Sequence, residues 1–335
     1  MTDPAMPSDL GSTDRKRRRR PLVSVVIPAF NAAWSLGRTL ASVTNQTWPE
    51  IEIIVVDDGS TDSTPDLVRE HAANDPRIRL VRQPNGGVAS ARNRGLREAR
   101  GEYFAPIDSD DLWAADNLEK QVEALEAAGE RTAFAFAYSV CIDEFDRPLP
   151  SPPRTDAPRI DFEGLLLRNA VSNGSAAVFR SAQVIEAGGY DERLRAAGAQ
   201  GAEDWKLTLT LVSRYEAVLV PEPLVFYRIN PEGMSHAFEA MCRSALTVIE
   251  DARGLKQGVP GQAFRDSRSL FLTWMLPRVL KARRWRTALD LGWKAYGLNP
   301  AAARLPEVRA LARRAAKAIE PRAKAVRPVV RTRPA

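Results

Sequence analysis

Three carboxylates crowd the stretch "YFAPIDSDDLW", residues 103–113, where Asp108, Asp110 and Asp111 follow an apolar run and precede Leu112 and Trp113. Like charges this close oppose folding unless a cation or a set of hydrogen-bond donors offsets them. A solvated turn that stops a strand is the ordinary alternative, because Asp and Ser bond nearby backbone. A calcium loop of the helix-loop-helix kind does not fit. Counted from Asp108, it needs an oxygen ligand at the fifth position and a glycine at the sixth, where Leu112 and Trp113 stand. A second acidic run, "DDGSTD", occupies 57–62, and an acidic pair, Glu203 and Asp204, opens "EDWKLTLTLV". Two acids at a helix start also balance its dipole. Of the two histidines, His71 falls on a helix face after "DLVRE" and reads as structural or exposed, while His236 sits in "YRINPEGMSH".

These groups need elements to hold them. From Val23 onward, strand-like runs alternate with helix-like segments: "VSVVIPAF", "WSLGRTLASVTNQ", "EIIVVDDG", "TPDLVREHAAN" and "IRLVRQ". Leu36, Leu40 and Val43 fall on one helical face, and Leu67 with His71 on another. A β-α-β-α-β order predicts a parallel sheet covered by helices on both faces, with ligands at the carboxyl ends of the strands. Both acidic runs sit at such ends. Between them, Gly86 and Gly87 precede "VASARNRGLREA", a helix whose free amides favour an anion at its start. No GxGxxG follows the first strand and no GxxxxGKS/T occurs, so a dinucleotide dehydrogenase and a P-loop NTPase lose support. A Pro-rich connector spans 146–160, order resumes over 162–229, and beyond about 240 the chain reads as helical.

Charge is unevenly spread over the 335 residues, whose formal net charge is +6. Residues 1–20 hold six basic against three acidic groups, and 301–335 hold ten against two, leaving the body between them at −5. Basic ends suggest an anionic surface or a merely solvated tail. Two cysteines, Cys141 and Cys242, show no metal spacing and fit a reducing compartment. The N-terminal "PLVSVVIPAF" is too short and too β-branched for a signal helix, and no run reaches the length of a membrane span.

Five ordered segments, "VSVVIPAFN", "IIVVDDGSTDST", "PNGGVASARNRGL", "GEYFAPIDSDDLW" and "GAEDWKLTL", resemble the inverting glycosyltransferases of family 2 over roughly residues 22–236. The resemblance implies a GT-A type α/β fold, a mostly parallel, Rossmann-like sheet flanked by helices, followed here by a helical C-terminal extension. It implies Mn²⁺ or Mg²⁺ held by oxygen ligands against the diphosphate of a nucleotide-sugar donor. Asp110 becomes the main metal contact, Asp108 faces ribose or metal, and Asp111 is an extra ligand or a cap for the next helix. Asp57 and Asp58 fall where the family binds the nucleobase, and Asp62 caps the following helix. Pro28, Phe30 and Asn31 would line the nucleotide cleft, with Gly87 and Arg92 on its anion-binding side. Asp204 takes the acceptor proton and Glu203 supports it. His236 matches a position where GT-A enzymes often present histidine to metal or diphosphate. Trp113 and Trp205 stack on sugar or belong to the core.

The expected organisation is a disordered basic tail over 1–20, a glycosyltransferase domain over 21–238 and a helical basic region over 239–335. The domain divides into a nucleotide-binding half, 21–145, and an acceptor half, 160–238. The expected partners are a nucleotide-sugar donor, UDP-linked by preference, and a saccharide or lipid-linked saccharide acceptor in bacterial surface polysaccharide synthesis. Nucleic acid is not expected. The expected location is cytoplasmic, at the inner face of the plasma membrane, with residues 301–335 reaching anionic lipid. Rival readings are a sugar nucleotidyltransferase, which wants a Gly-rich basic loop where "PAFNAAWSL" stands, and a non-catalytic nucleotide- or membrane-binding module.

Overall fold

The computed structural model describes residues 20–150, 158–230 and 233–298. The basic ends and the centre of the Pro-rich connector therefore lie outside the described residues. Eight strands form one sheet: β1 Val23–Ala29, β2 Ile51–Asp57, β3 Ile78–Arg82, β4 Tyr103–Pro106, β5 Leu112–Trp113, β6 Thr132–Ile142, β7 Ala177–Arg180 and β8 Glu216–Arg228. Their order is β3-β2-β1-β4-β7-β6-β8-β5. The first four pair in parallel, as the β-α-β pattern predicts. Antiparallel β7 then joins β4 to β6, β6 runs parallel to β8, and β5 is antiparallel to β8.

All seven residues of β1 and of β2 are buried, which is why both read as near-continuous Val/Ile runs. Leu36, Leu40 and Val43 of the helix Leu36–Thr44 are fully buried. The helix Thr64–Asn74 departs from its predicted face. It buries Thr64, Pro65 and Val68, whereas Leu67 and His71 are half-buried. Gly37 explains the difference, since a Cβ there would lie 3.9 Å from both Leu67 Cδ1 and His71 Nε2. The two side chains therefore rest on a neighbouring helix, not on the sheet. A Cβ on Gly95 would come within 2.2 Å of Val26 Cγ1, so the helix Val88–Glu98 lies directly on β1.

Register brings the chemistry to one edge. Ala29 pairs with Asp57 and Val26 with Pro106, so the segments leaving β1, β2 and β4 emerge side by side. The chain divides into two compact units, Met1–Phe264 and Arg265–Ala335. In the second unit, residues 265–281 of the helix Gly261–Lys281 and the helix Trp285–Leu298 bury Leu272, Met275, Val279, Leu291 and Ala295. Ser269 Oγ donates to Ala295 O at 3.3 Å. No described helix is long and apolar enough to cross a membrane.

Candidate active site

Asp108–Asp111 leave β4 in a tight loop, with the Asp111 amide donating to Asp108 O at 3.1 Å. The adjacent carboxylates have opposite fates. Asp111 is fully buried and accepts from Ser175 Oγ at 2.5 Å and from the Arg228 amide at 2.8 Å. Burial, with Asp110 and Asp108 nearby, pushes its carboxyl well above the usual range. This corrects the expectation of an extra ligand or a cap: both oxygens are spent inside the protein, and the next helix begins at Asn117, with Asp116 at its N-cap. Asp110 is half-buried and accepts no side-chain hydrogen bond among the described residues. Burial and the charge of Asp108 push its carboxyl up to about 6. A cation would reverse that penalty.

Arg228, at the end of β8, fixes this loop from behind. Its Nε donates to Asp110 O at 2.7 Å, one terminal nitrogen donates to Asp143 O at 2.6 Å, and the other pairs with Asp146. Asp146 also binds Arg38 at 3.0 Å. Ser175 ties the other side, because its hydroxyl accepts from the Asp108 amide at 3.0 Å while donating to Asp111. Trp113 is buried and donates Nε1–H to Ser175 O at 2.9 Å. Trp205 is likewise buried, its Nε1–H on Leu165 O at 2.8 Å. Both tryptophans belong to the core, not to a sugar-stacking surface.

Arg92 joins two of the predicted acidic groups. Its buried guanidinium pairs with Asp108 Oδ1 at 2.5 Å and stacks over the Tyr190 ring, 5.3 Å from the centroid. Burial alone would weaken its proton, but Asp108, Tyr190, Asp204 and Glu203 more than offset this and raise its pKa. Glu203 and Asp204 open the helix Glu203–Val212. Burial raises both carboxyls, while Arg92 pulls each back down. Glu203 is buried and accepts from the Gly201 amide at 2.9 Å, which suits a supporting contact. Asp204 is half-buried and accepts from the Trp205 amide at 2.7 Å. Ser244 Oγ, on the helix Phe238–Asp251, accepts from the Ala202 amide at 3.1 Å. Lys206 bridges Asp191 and Asp251, at 2.5 Å to each.

The "DDGSTD" run builds its own loop. Asp57 has no exposed surface; it accepts from the Ser60 amide at 3.0 Å and pairs with Arg82 at 2.8 Å. Asp58 accepts from Gln83 at 2.8 Å and from the amides of Gly86 and Gly87 at 2.7 Å each. The anion expected at the start of the helix Val88–Glu98 is thus Asp58 itself, and the Gly87 amide is already engaged. Gly87, with φ +86°, permits this hairpin approach. Pro28 is buried within β1. Phe30, half exposed, and Asn31, with φ +49°, follow directly at the strand end. Asn31 accepts from the Thr61 amide at 2.9 Å, and its own amide donates to Ser60 Oγ at 2.9 Å. Asp62 does act at the next helix, accepting from the Thr64 amide at 3.0 Å.

Among the described residues, no three of His, Cys, Asp and Glu converge as a ready metal cage. His236 lies on an exposed turn, Met234–His236, its ring 5.9 Å from that of Phe238. Among the described residues it forms no three-residue cluster with Asp108 and Asp110. The partly exposed pair Asp108 and Asp110 would suit a hard cation that takes its other oxygens from phosphate and water.

Residues 24–183 match the model of glycosyl transferase family 2. This stretch belongs to that family. A chondroitin synthase of Escherichia coli is 37% identical over 158 residues, which are 47% of this chain and 20% of that protein. A putative teichuronic acid biosynthesis glycosyltransferase, TuaG of Bacillus subtilis, is 47% identical over 105 residues, 31% of this chain and 42% of its own. The chain thus spans less than half the length of these relatives. A mannosyltransferase from Pyrobaculum calidifontis, in complex with GDP-Man and Mn²⁺, superposes with TM-score 0.59 at 24% identity, covering 90% of this chain and 81% of that one. S. aureus TarS 1–349 in complex with UDP-GlcNAc gives TM-score 0.61 at 18% identity, with coverages of 85% and 83%. The likeness is one of fold, and the fold is of the GT-A type.

Within this family 2 domain and the segment after it, sequence reasoning missed Ser175, Tyr190, Arg228 and Ser244. None belongs to an acidic or glycine motif. Tyr190 had a signal in "AGGYDERL", where two glycines with positive φ precede it. Asn93 exchanges two 2.8 Å hydrogen bonds with its backbone, which sets the ring under Arg92. The other three carry no local signature.

Proposed function

We propose that this chain is an inverting glycosyltransferase that moves a sugar from a nucleotide diphosphate sugar, UDP-linked by preference, to a hydroxyl of a saccharide or lipid-linked saccharide. The observation that carries the reading is Arg92, a buried cation paired with Asp108 and within electrostatic reach of Glu203 and Asp204. It draws the donor-side loop and the acceptor-side helix around one point. A divalent cation bound by Asp110 and Asp108 would neutralise charge on the departing diphosphate. Asp204 accepts the proton of the attacking hydroxyl, and its raised carboxyl makes it a better base than an exposed aspartate. Glu203 braces the loop before it through the Gly201 amide. Asp58 and Asp57 act by shaping the glycine turn and the strand ends that frame the nucleotide. Membership of family 2, whose relatives include named polysaccharide synthases, supports a role in surface polysaccharide assembly.

A sugar nucleotidyltransferase is disfavoured by the loop after β1. That loop holds no Lys or Arg, and the first basic residue after it, Arg38 on the helix Leu36–Thr44, donates to Glu144 O and Asp146, both at 3.0 Å. The test is a panel of UDP- and GDP-sugars with and without Mn²⁺, read by donor hydrolysis, thermal shift and the anomeric configuration of any transferred sugar. Metal-dependent consumption of one donor with inversion is expected. Absence of both stabilisation and turnover across the panel would overturn the reading.

A further inference from the structure

The helix Trp285–Leu298 exposes large apolar side chains along one side: Trp285 is 47% exposed, Leu289 63% and Trp293 73%. Spaced by four, they form a stripe about 80° wide at 3.6 residues per turn. Ala288, Leu291 and Ala295 are buried on a different side of the same helix. Trp274, on the preceding helix, is 50% exposed and carries the Arg278 guanidinium 3.6 Å above its ring. Scattered apolar residues on a surface are ordinary, but aligned tryptophans mark a contact site.

Charge names the partner. Between residues 274 and 298 stand six basic residues, Arg278, Lys281, Arg283, Arg284, Arg286 and Lys294, against one acid, Asp290. Lys281, Arg283, Arg284 and Arg286 are all exposed. Indole rings favour the boundary between headgroups and acyl chains, and near-surface basic groups are attracted to anionic lipid. We infer that the Trp285–Leu289–Trp293 stripe, with its basic border, is a membrane-docking surface that seats this chain on anionic lipid. The inference deepens the reading of a lipid-linked acceptor, and it assigns the contact to a described helix instead of the basic segment 301–335.

The experiment is co-sedimentation of the full chain with phosphatidylcholine vesicles, with and without phosphatidylglycerol, at low and high salt. Donor and acceptor are omitted, so vesicle binding is scored independently of transferase activity. Wild type is expected to pellet with the anionic vesicles and to be released by salt. The triple variant Trp285→Ser, Leu289→Ser, Trp293→Ser should lose roughly tenfold or more of that affinity with unchanged helical circular dichroism. Equal pelleting of variant and wild type would overturn the proposal, as would wild type that ignores anionic lipid. Equal pelleting with a lowered melting temperature would assign the stripe to the chain's own C-terminal segment. Equal pelleting with loss of a homodimer on light scattering would assign it to a second copy.

Discussion

Arg92 and Asp108 form an asymmetric ion pair: the guanidinium side chain is 4% exposed and the carboxylate 24%. The buried cation is held from one side, while the anion keeps a face toward solvent and ligand. Asp108 can therefore neutralise Arg92 and still offer an oxygen outward. Space is tight as well, since a Cβ on Gly174 would lie 2.2 Å from an Arg92 terminal nitrogen.

Arg92→Met keeps the volume and removes the charge. Breaking a fully buried pair costs about 3–5 kcal/mol; the partial exposure of Asp108 brings the expected loss to roughly 2–4 kcal/mol. Glu203 and Asp204 would then lose the cation that pulls their carboxyls down, so part of the stability should return as pH falls and they protonate. Urea unfolding at neutral and mildly acidic pH measures both effects, and an unchanged midpoint would show that Arg92 is not the electrostatic centre of the site.

Asp110→Asn should separate stability from function. A carboxyl held at about 6 instead of its ordinary 3.8 is destabilising when ionised, by about 3 kcal/mol in the limit and roughly 1–2 kcal/mol for a half-exposed group. The folded value is the higher one, so the wild-type protein loses stability as pH rises from about 4 through 6. The variant should lack that slope, melt higher at pH 7 without metal, and lose Mn²⁺-dependent donor binding. In wild type, apparent Mn²⁺ affinity should climb with pH up to about 6 and then level off. Calorimetric titration across that range checks it; a variant that still binds donor in a Mn²⁺-dependent way would remove Asp110 from the metal site.

The strand ends and the acidic groups were legible in the sequence, because buried parallel strands show as Val/Ile runs and the loops after them carry the polar residues. What holds those groups was not. Ser175 meets Asp111 from 64 residues away and Arg228 from 117. Neither distance leaves a periodic or motif signal, since the first contact arises when the chain returns at β7 beside β4 and the second when β8 pairs with β5, the strand that follows Asp111. The readings of Asp58 and Gly87 show a related limit. The sequence displays an anion and a set of free amides, but only the fold reveals that each satisfies the other.

Ser175→Ala removes the hydroxyl that donates to Asp111 and accepts from the Asp108 amide. A buried carboxyl oxygen then loses its donor, at a cost of about 1–3 kcal/mol or more for a charged group. Looser control of the Asp108–Asp110 loop should also raise the Mn²⁺ concentration needed for half-maximal activity. Ser175→Thr, which keeps the hydroxyl, should recover more metal affinity than Ala. If the two variants lose stability and keep wild-type metal dependence, Ser175 serves the core alone.

Asp204→Asn is the sharpest test of the chemistry. The amide preserves the shape of the side chain and its contact with the Trp205 amide but cannot take a proton from the acceptor. Donor affinity should stay near wild type while turnover falls by about 10²-fold or more. Burial lifts the Asp204 carboxyl above its ordinary value, with Arg92 opposing the lift. The wild-type rate should therefore decline as pH drops through that raised value, and the variant's residual rate should lack the same acidic limb. Measuring kcat and KM against pH for both proteins distinguishes a base from a structural carboxylate, because loss of packing alone would shift both constants and leave the profile's shape intact. Near wild-type turnover in the Asn variant would move the base to Glu203.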